Sequence, residues 1–141
     1  MLLFLSEHTV FYREFSTVIY WYFSTVTYSW ISYTNNLPEL MEAINNSMMV
    51  VSAWSEEKLV GLIRVIGDKT IILYIQDILV LKEYKRRGVG RTLIEKVIES
   101  YKNIRQIVLL TDESDESRGF YESLGFKSCD DGRLVAYARM K

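Results

Sequence analysis

Residues Ile78 to Ile98 read "ILVLKEYKRRGVGRTLIEKVI". An apolar run of strand length ends at Leu81. A basic loop with two glycines spaced G-x-G follows, and from Gly88 onward the apolar residues recur at helical spacing. Val89, Leu93, Val97 and Tyr101 share one side of that helix, while Arg91, Glu95, Lys96 and Glu99 can face water. A helix start offers backbone N–H groups without intrahelical partners and a partial positive charge, which together suit an anion such as phosphate. Gly88 and Gly90 let the backbone approach a ligand without a Cβ in the way. Lys85, Arg86, Arg87 and Arg91 add full charges around those donors, which fits the linked phosphates of a pyrophosphate. A solvated basic loop whose glycines only make the turn is the plainer alternative. Two familiar phosphate binders fit poorly, because Leu93 stands where a dinucleotide fingerprint needs a third glycine and no Gly-Lys-Ser/Thr ending follows Gly90.

Upstream of the loop, "MMVVSAW", "LVGLIRVI" and "TIILYIQDILVL" are β-rich runs joined by "SEEK" and "GDK", which predicts an antiparallel meander. Before it, "LPELMEAINNS" predicts a short helix after Pro38 that ends near Asn45 and Asn46. Downstream, Gln106–Thr111 reads as a buried strand, and "SDESRGFYESLGF" as a helix closed at Gly125. Turn residues "CDDGR" then lead to "LVAYARMK", whose alternation predicts a terminal strand. The order of meander, helix, strand, helix, strand predicts a mixed α/β domain with one main sheet.

The totals narrow the function classes. A chain of 141 residues, 49% hydrophobic and 25% charged, suits one domain, residues 1–141. Its formal net charge of -1 argues against a general grip on nucleic acid. One cysteine, Cys129, excludes an internal disulfide, and with the single His8 leaves no zinc-site spacing, so no metal and a reducing, cytoplasmic setting are expected. The uncharged stretch Phe15–Pro38 has enough length for a membrane span. Interrupting serines and threonines, and an opening without a basic leader, favour a soluble aromatic-rich segment instead. "FSTV" occurs twice there, at Phe15 and Phe23, too briefly for a repeat architecture.

The stretch Ile78–Ile98, followed after a strand by "FYESLGF", resembles the GNAT acyltransferases of single-domain bacterial type, with their Q/R-x-x-G-x-G/A loop and later F/L-Y-x-x-x-G-F motif. The resemblance implies a central, mostly antiparallel twisted sheet with a splayed parallel strand pair and flanking helices. It also implies acetyl-CoA as co-substrate, its pyrophosphate on the amides of Lys85, Arg86, Arg87, Gly88, Val89, Gly90 and Arg91. The pantetheine arm is then expected in the splay, against the backbone of Leu79, Val80 and Leu81. Lys85 stands at the Q/R position, keeping the charge but losing the flat multi-donor head of arginine. Ser114 and Ser117 stand where many members carry asparagine and alanine.

By the same likeness Tyr121 is the expected general acid for the departing thiolate, since phenol and thiol pKa values, roughly 10 and 8.5, lie close together. A tyrosine packed beside Phe120 and Phe126 with its hydroxyl satisfied is the alternative. Asp77, a carboxylate in an apolar strand, is a candidate base. Strict alternation places it opposite the face shared by Gln76 and Tyr74. It can equally be a structural acceptor for backbone N–H groups near a bulge, and a water chain can deprotonate the amine. Trp30, Tyr33 and Thr34 are the expected acceptor contacts, or else core. The expected activity is acetyl transfer to a primary amine of a small molecule by direct attack in a ternary complex. A non-catalytic acyl-CoA sensor or interaction module is the second reading. No nucleic-acid or membrane partner is expected, and a homodimer is left open.

Overall fold

A computed structural model describes residues 3–8 and 36–139. Trp30, Tyr33, Thr34 and the "FSTV" echo lie outside the described residues. The chain falls into two compact units, Met1–Leu109 and Leu110–Lys141.

In the first unit, β1 (Leu3–His8), α1 (Leu37–Asn45), β2 (Met49–Ser55), β3 (Lys58–Gly67), β4 (Ile72–Val80), α2 (Val89–Ser100) and β5 (Gln106–Leu109) follow one another, with a short 3₁₀ turn at Lys82–Tyr84. The strands form one sheet in the order β1-β2-β3-β4-β5. Pairing is antiparallel from β1 to β4 and parallel between β4 and β5. Both the antiparallel meander and the parallel pair joined through a helix match the sequence reading. β1 was not legible, and the last strand is shorter than expected, stopping at Leu109.

β3 lies mid-sheet and is buried from Leu59 to Val65, as an apolar strand covered on both faces should be. On one face α2 packs closely: a Cβ added at Gly61 would lie 2.8 Å from Val89 Cγ1 and 3.2 Å from Leu93 Cδ1. Val89, Leu93, Ile94 and Val97 are the buried positions of α2; Ile94 joins the predicted stripe, and Tyr101, expected in it, is the C-cap residue and only half-buried. On the other face Arg64 reaches the end of α1, its Nη1 donating to Ala43 O at 3.3 Å. Asn36 caps α1, its side chain accepting from Glu39 N–H at 3.4 Å, and the helix ends at Asn45 as the asparagine pair suggested.

The register shifts between Arg64 and Val65, so that Arg64 opposes Asp77 while Val65 opposes Ile75. Gln76 is therefore an extra residue, a β-bulge. Because Tyr74 opposes Ile66 and Asp77 opposes Arg64, these two residues share a face of the sheet. Strict alternation had separated them; the bulge resets the phase.

The second unit carries α3 (Asp115–Glu122) and a 3₁₀ turn at Cys129–Asp131. Ser114 caps α3, its Oγ accepting from Ser117 N–H at 3.1 Å, and Asp115 and Glu116 complement the helix dipole. At the other end Phe126 N–H donates to Tyr121 O at 3.1 Å and Gly125 N–H to Glu122 O at 3.0 Å. Gly125 has φ 86°, the left-handed closure foreseen for it. The expected terminal strand is not formed: residues 134–139 carry no strand, and Leu134, Val135 and Tyr137 are exposed. Alternation alone does not make a strand, because β structure needs a neighbour that completes the ladder of hydrogen bonds.

Candidate functional site

The site grows from the C-terminal half of β4. Parallel pairing with β5 covers Ile72–Ile75 only, ending at Leu109. β4 nevertheless continues to Val80, held on its other edge by β3. Leu81 N–H donates to Val60 O at 2.9 Å. Opposed residues of an antiparallel pair alternate between exchanging backbone hydrogen bonds and not doing so. Counting back through the register, Leu79 and Asp77 exchange bonds with Leu62 and Arg64, whereas Val80 opposite Gly61 and Ile78 opposite Ile63 turn their N–H and C=O away from β3. Of the three residues expected to offer backbone groups, Val80 turns its own outward, Leu79 directs its groups to β3, and Leu81 donates its N–H to Val60 O while its carbonyl accepts from Tyr84 N–H. Ile78 offers the same outward groups and was missed. The hydrogen-bonding parity of a strand is set by its partner's register, which no single-strand pattern reveals.

After Leu81 the chain makes the 3₁₀ turn and enters the glycine loop. Arg86 has φ 60° and Gly88 φ 86°, so the backbone turns twice through left-handed conformations before α2 begins. Gly88 is the N-cap residue and gives no side-chain hydrogen bond. The first turn of α2 holds no acidic residue, in contrast to Glu39 in α1 and Asp115 and Glu116 in α3. Thr92 N–H is the first amide to reach back, to Gly88 O at 2.9 Å. The amides of Val89 and Gly90 belong to the turn that intrahelical bonding leaves unserved. A Cβ at Gly88 would meet nothing within 4 Å, so the backbone there is open to approach.

Cations surround this opening. Lys85, Arg86, Arg87 and Arg91 are all exposed. Arg87 lies 5.4 Å from the Tyr84 ring centroid, and Lys58, from the start of β3, lies 5.6 Å from the same ring. Lys58 Nζ also donates to Glu83 Oε1 at 2.8 Å, which raises the lysine pKa and lowers that of the glutamate. Arg91 reaches Glu95 at 3.7 Å, one helical turn on. These residues can hold an extended anion with two or more phosphates and fit acetyl-CoA in its pyrophosphate region.

Asp77 is engaged. Its Oδ2 accepts from Arg64 Nε at 2.6 Å, and each side chain is only 8% exposed. That engagement favours the structural of the two roles expected of it. The bulge anticipated beside it is present, but the partner is a guanidinium on the neighbouring strand.

In the second unit, Tyr121 packs edge-on against Phe120, with centroids 5.1 Å apart, and against Phe126 at 5.8 Å. Burial raises its pKa above the ordinary 10, and a hydrogen bond with Thr111 acts in the opposite direction. Both the packing and the hydroxyl partner of the structural alternative are thus present, together with a phenol that stays protonated. Ser114, at the position where many relatives of the motif carry asparagine, is occupied in capping α3.

Comparison with known proteins bears on the family and the fold. The family model described as "Acetyltransferase (GNAT) domain" matches residues 24–140. The GCN5-related N-acetyltransferase 2, chloroplastic, of Arabidopsis thaliana is 34% identical over 79 residues, 55% of this chain and 30% of that protein. The chain thus spans about a third of that relative's length, 30%. Among solved structures, a GNAT family acetyltransferase from Streptococcus pneumoniae TIGR4 superposes with a TM-score of 0.81 at 24% identity, covering 99% of this chain and 98% of that one. AAC(6')-Iy, in complex with the bisubstrate analogue CoA-S-monomethyl-acetylneamine, gives a TM-score of 0.73 at 15% identity, with 100% of both chains covered. At these identities the superpositions speak for the fold.

Proposed function

The chain belongs to the GNAT acetyltransferase family, and on that premise we propose that it transfers an acetyl group from acetyl-CoA to a primary amine of a small molecule, by direct attack in a ternary complex. The observation that carries the proposal is the continuous run from the outward backbone groups of Ile78 and Val80, through left-handed Arg86 and Gly88, to the uncapped start of α2. A hydrogen-bonding edge suits the amide-rich pantetheine arm, and a helix start ringed by cations suits the pyrophosphate.

When bound, acetyl-CoA supplies an activated thioester carbonyl. The first-turn amides of α2 with Lys85, Arg86 and Arg87 anchor its phosphates. The outward amides of β4 orient the arm and donate to a carbonyl oxygen as charge develops on it. The Tyr121 phenol, protonated at neutral pH and with its pKa raised further by burial, is the assigned proton donor to the leaving thiolate. With the Asp77 carboxylate held by Arg64, deprotonation of the amine falls to water. Trp30, Tyr33 and Thr34 remain the proposed acceptor contacts. The exposed thiol of Cys129 suits a reducing compartment such as the cytoplasm.

Free-thiol release from acetyl-CoA, followed across a panel of small amines and of peptide amines, tests this directly. Turnover with small amines and not with peptides is the expected result. Tight CoA binding without thiol release from any amine would instead mark a non-catalytic acyl-CoA-binding module.

A further inference from the structure

The bulge in β4 lies where two changes coincide. Pairing with β5 ends at Ile75, the extra residue is Gln76, and regular pairing with β3 resumes at Asp77. A bulge bends its strand and increases the local twist, so this is the point at which β4 can part from β5. One guanidinium grips it. Arg64 Nε donates to Asp77 Oδ2 at 2.6 Å, and Arg64 Nη1 donates to Ala43 O at 3.3 Å and to Ser47 Oγ at 3.4 Å. Ser47 Oγ in turn donates to Ala43 O at 2.9 Å.

Ala43 lies in the last turn of α1, which carries no basic residue of its own. Arg64 therefore supplies, from β3, the positive charge that a helix C-terminus favours. A buried ion pair is seldom more stabilising than apolar side chains of the same volume, so stability alone gives little reason for this one. Its directional bonds, in contrast, fix three elements relative to one another: β3, the bulge of β4 and the end of α1.

We propose that Arg64 is a positioning residue that, through Asp77, holds the β4 bulge and thereby aims the backbone groups of Ile78 and Val80 at the acyl-CoA arm. The proposal rests on the acetyl-CoA reading above. On this account the Asp77 carboxylate serves Arg64 and not the incoming amine.

The test uses the full chain as Arg64→Met, as Arg64→Lys and as the apolar double variant Arg64→Met with Asp77→Leu. Two readouts are compared, the NMR amide shifts of Ile78 and Val80 in the ligand-free protein and acetyl-CoA affinity by calorimetry. Arg64→Met is expected to move both amide resonances and weaken acetyl-CoA roughly tenfold. Lysine should rescue only part of the affinity, because it lacks the fork that binds Asp77 and α1 together. The double variant should recover thermal stability without recovering either readout, and it carries the test should Arg64→Met fail to fold. Parent-like shifts at Ile78 and Val80 in a folded variant overturn the role of Arg64. A parent that does not bind acetyl-CoA overturns the cofactor reading instead, while the amide shifts still decide the role of Arg64.

Discussion

Tyr121 illustrates how one side chain serves packing and chemistry by different atoms. Its ring closes α3 against Phe126 across the left-handed Gly125, and its hydroxyl meets Thr111. Removing the oxygen alone separates the two roles. Tyr121→Phe should keep the fold and CoA affinity while slowing single-turnover acetylation by about a hundredfold to ten-thousandfold, the usual range for a general acid. A variant that melts earlier and acetylates at the parent rate would return Tyr121 to the core. The pKa shift carries its own sign. A phenol whose folded-state pKa is raised contributes stability that is fully present below the ordinary value of 10 and is lost as pH climbs through the raised one. Alkaline denaturation should therefore show a loss of stability above that ordinary value that is larger in the parent than in Tyr121→Phe. Equal alkaline limbs would remove the burial argument. None of this was legible as a choice between roles, because the motif locates the tyrosine but a hydroxyl's partner is a tertiary fact.

At the scale of elements, the glycine loop and α2 act as one unit because Gly61 lets the helix lie directly on β3. Gly61→Ala places a Cβ 2.8 Å from Val89 Cγ1 and 3.3 Å from Leu79 O. Overpacking of this kind typically destabilises by about 1–3 kcal/mol, measurable by urea denaturation; an unchanged midpoint would mean that α2 shifts freely. In the loop itself, Lys85→Arg should bind CoA as well as the parent or better, and Lys85→Glu clearly worse, since charge is what the exposed lysine offers. Equal affinities for all three would direct Lys85 to solvent. The double change Gly88→Val with Gly90→Val should abolish CoA binding, because Gly88 has φ 86° and the space beside it is open to the ligand. Calorimetry showing unchanged affinity in the folded double variant would remove the pyrophosphate assignment.

These elements were legible because their signals are local: alternation between turn residues for β2 to β4, a 3.6-residue stripe for α2, and an asparagine pair after α1. What was not legible depends on partners. β1 is defined by pairing with β2, the bulge at Gln76 by the offset between β3 and β4, and the ion pair of Arg64 with Asp77 by that same register. "LVAYAR" misled for the converse reason, having the strand pattern without the neighbouring strand.

For the whole molecule, the near balance of 17 basic and 18 acidic residues means that positive potential is a local property, concentrated where Lys85, Arg86 and Arg87 flank the start of α2. Exposed charges act over roughly 8 Å at physiological ionic strength. The patch can thus draw in a compact anion, and on a chain of near-neutral total charge it is expected to be too local to hold a duplex. CoA affinity should fall steadily as salt is raised, and replacing Lys85, Arg86 and Arg87 together by glutamine should flatten that dependence. Duplex DNA should show no electrophoretic shift at physiological salt. The two measurements bear on different properties of the same residues, since local charge governs the first and total charge the second. A CoA affinity indifferent to salt would assign the phosphates to backbone amides alone. A DNA complex that persists at physiological salt would mean that the patch is larger than the loop, and that the near-neutral balance of the chain conceals a nucleic-acid surface.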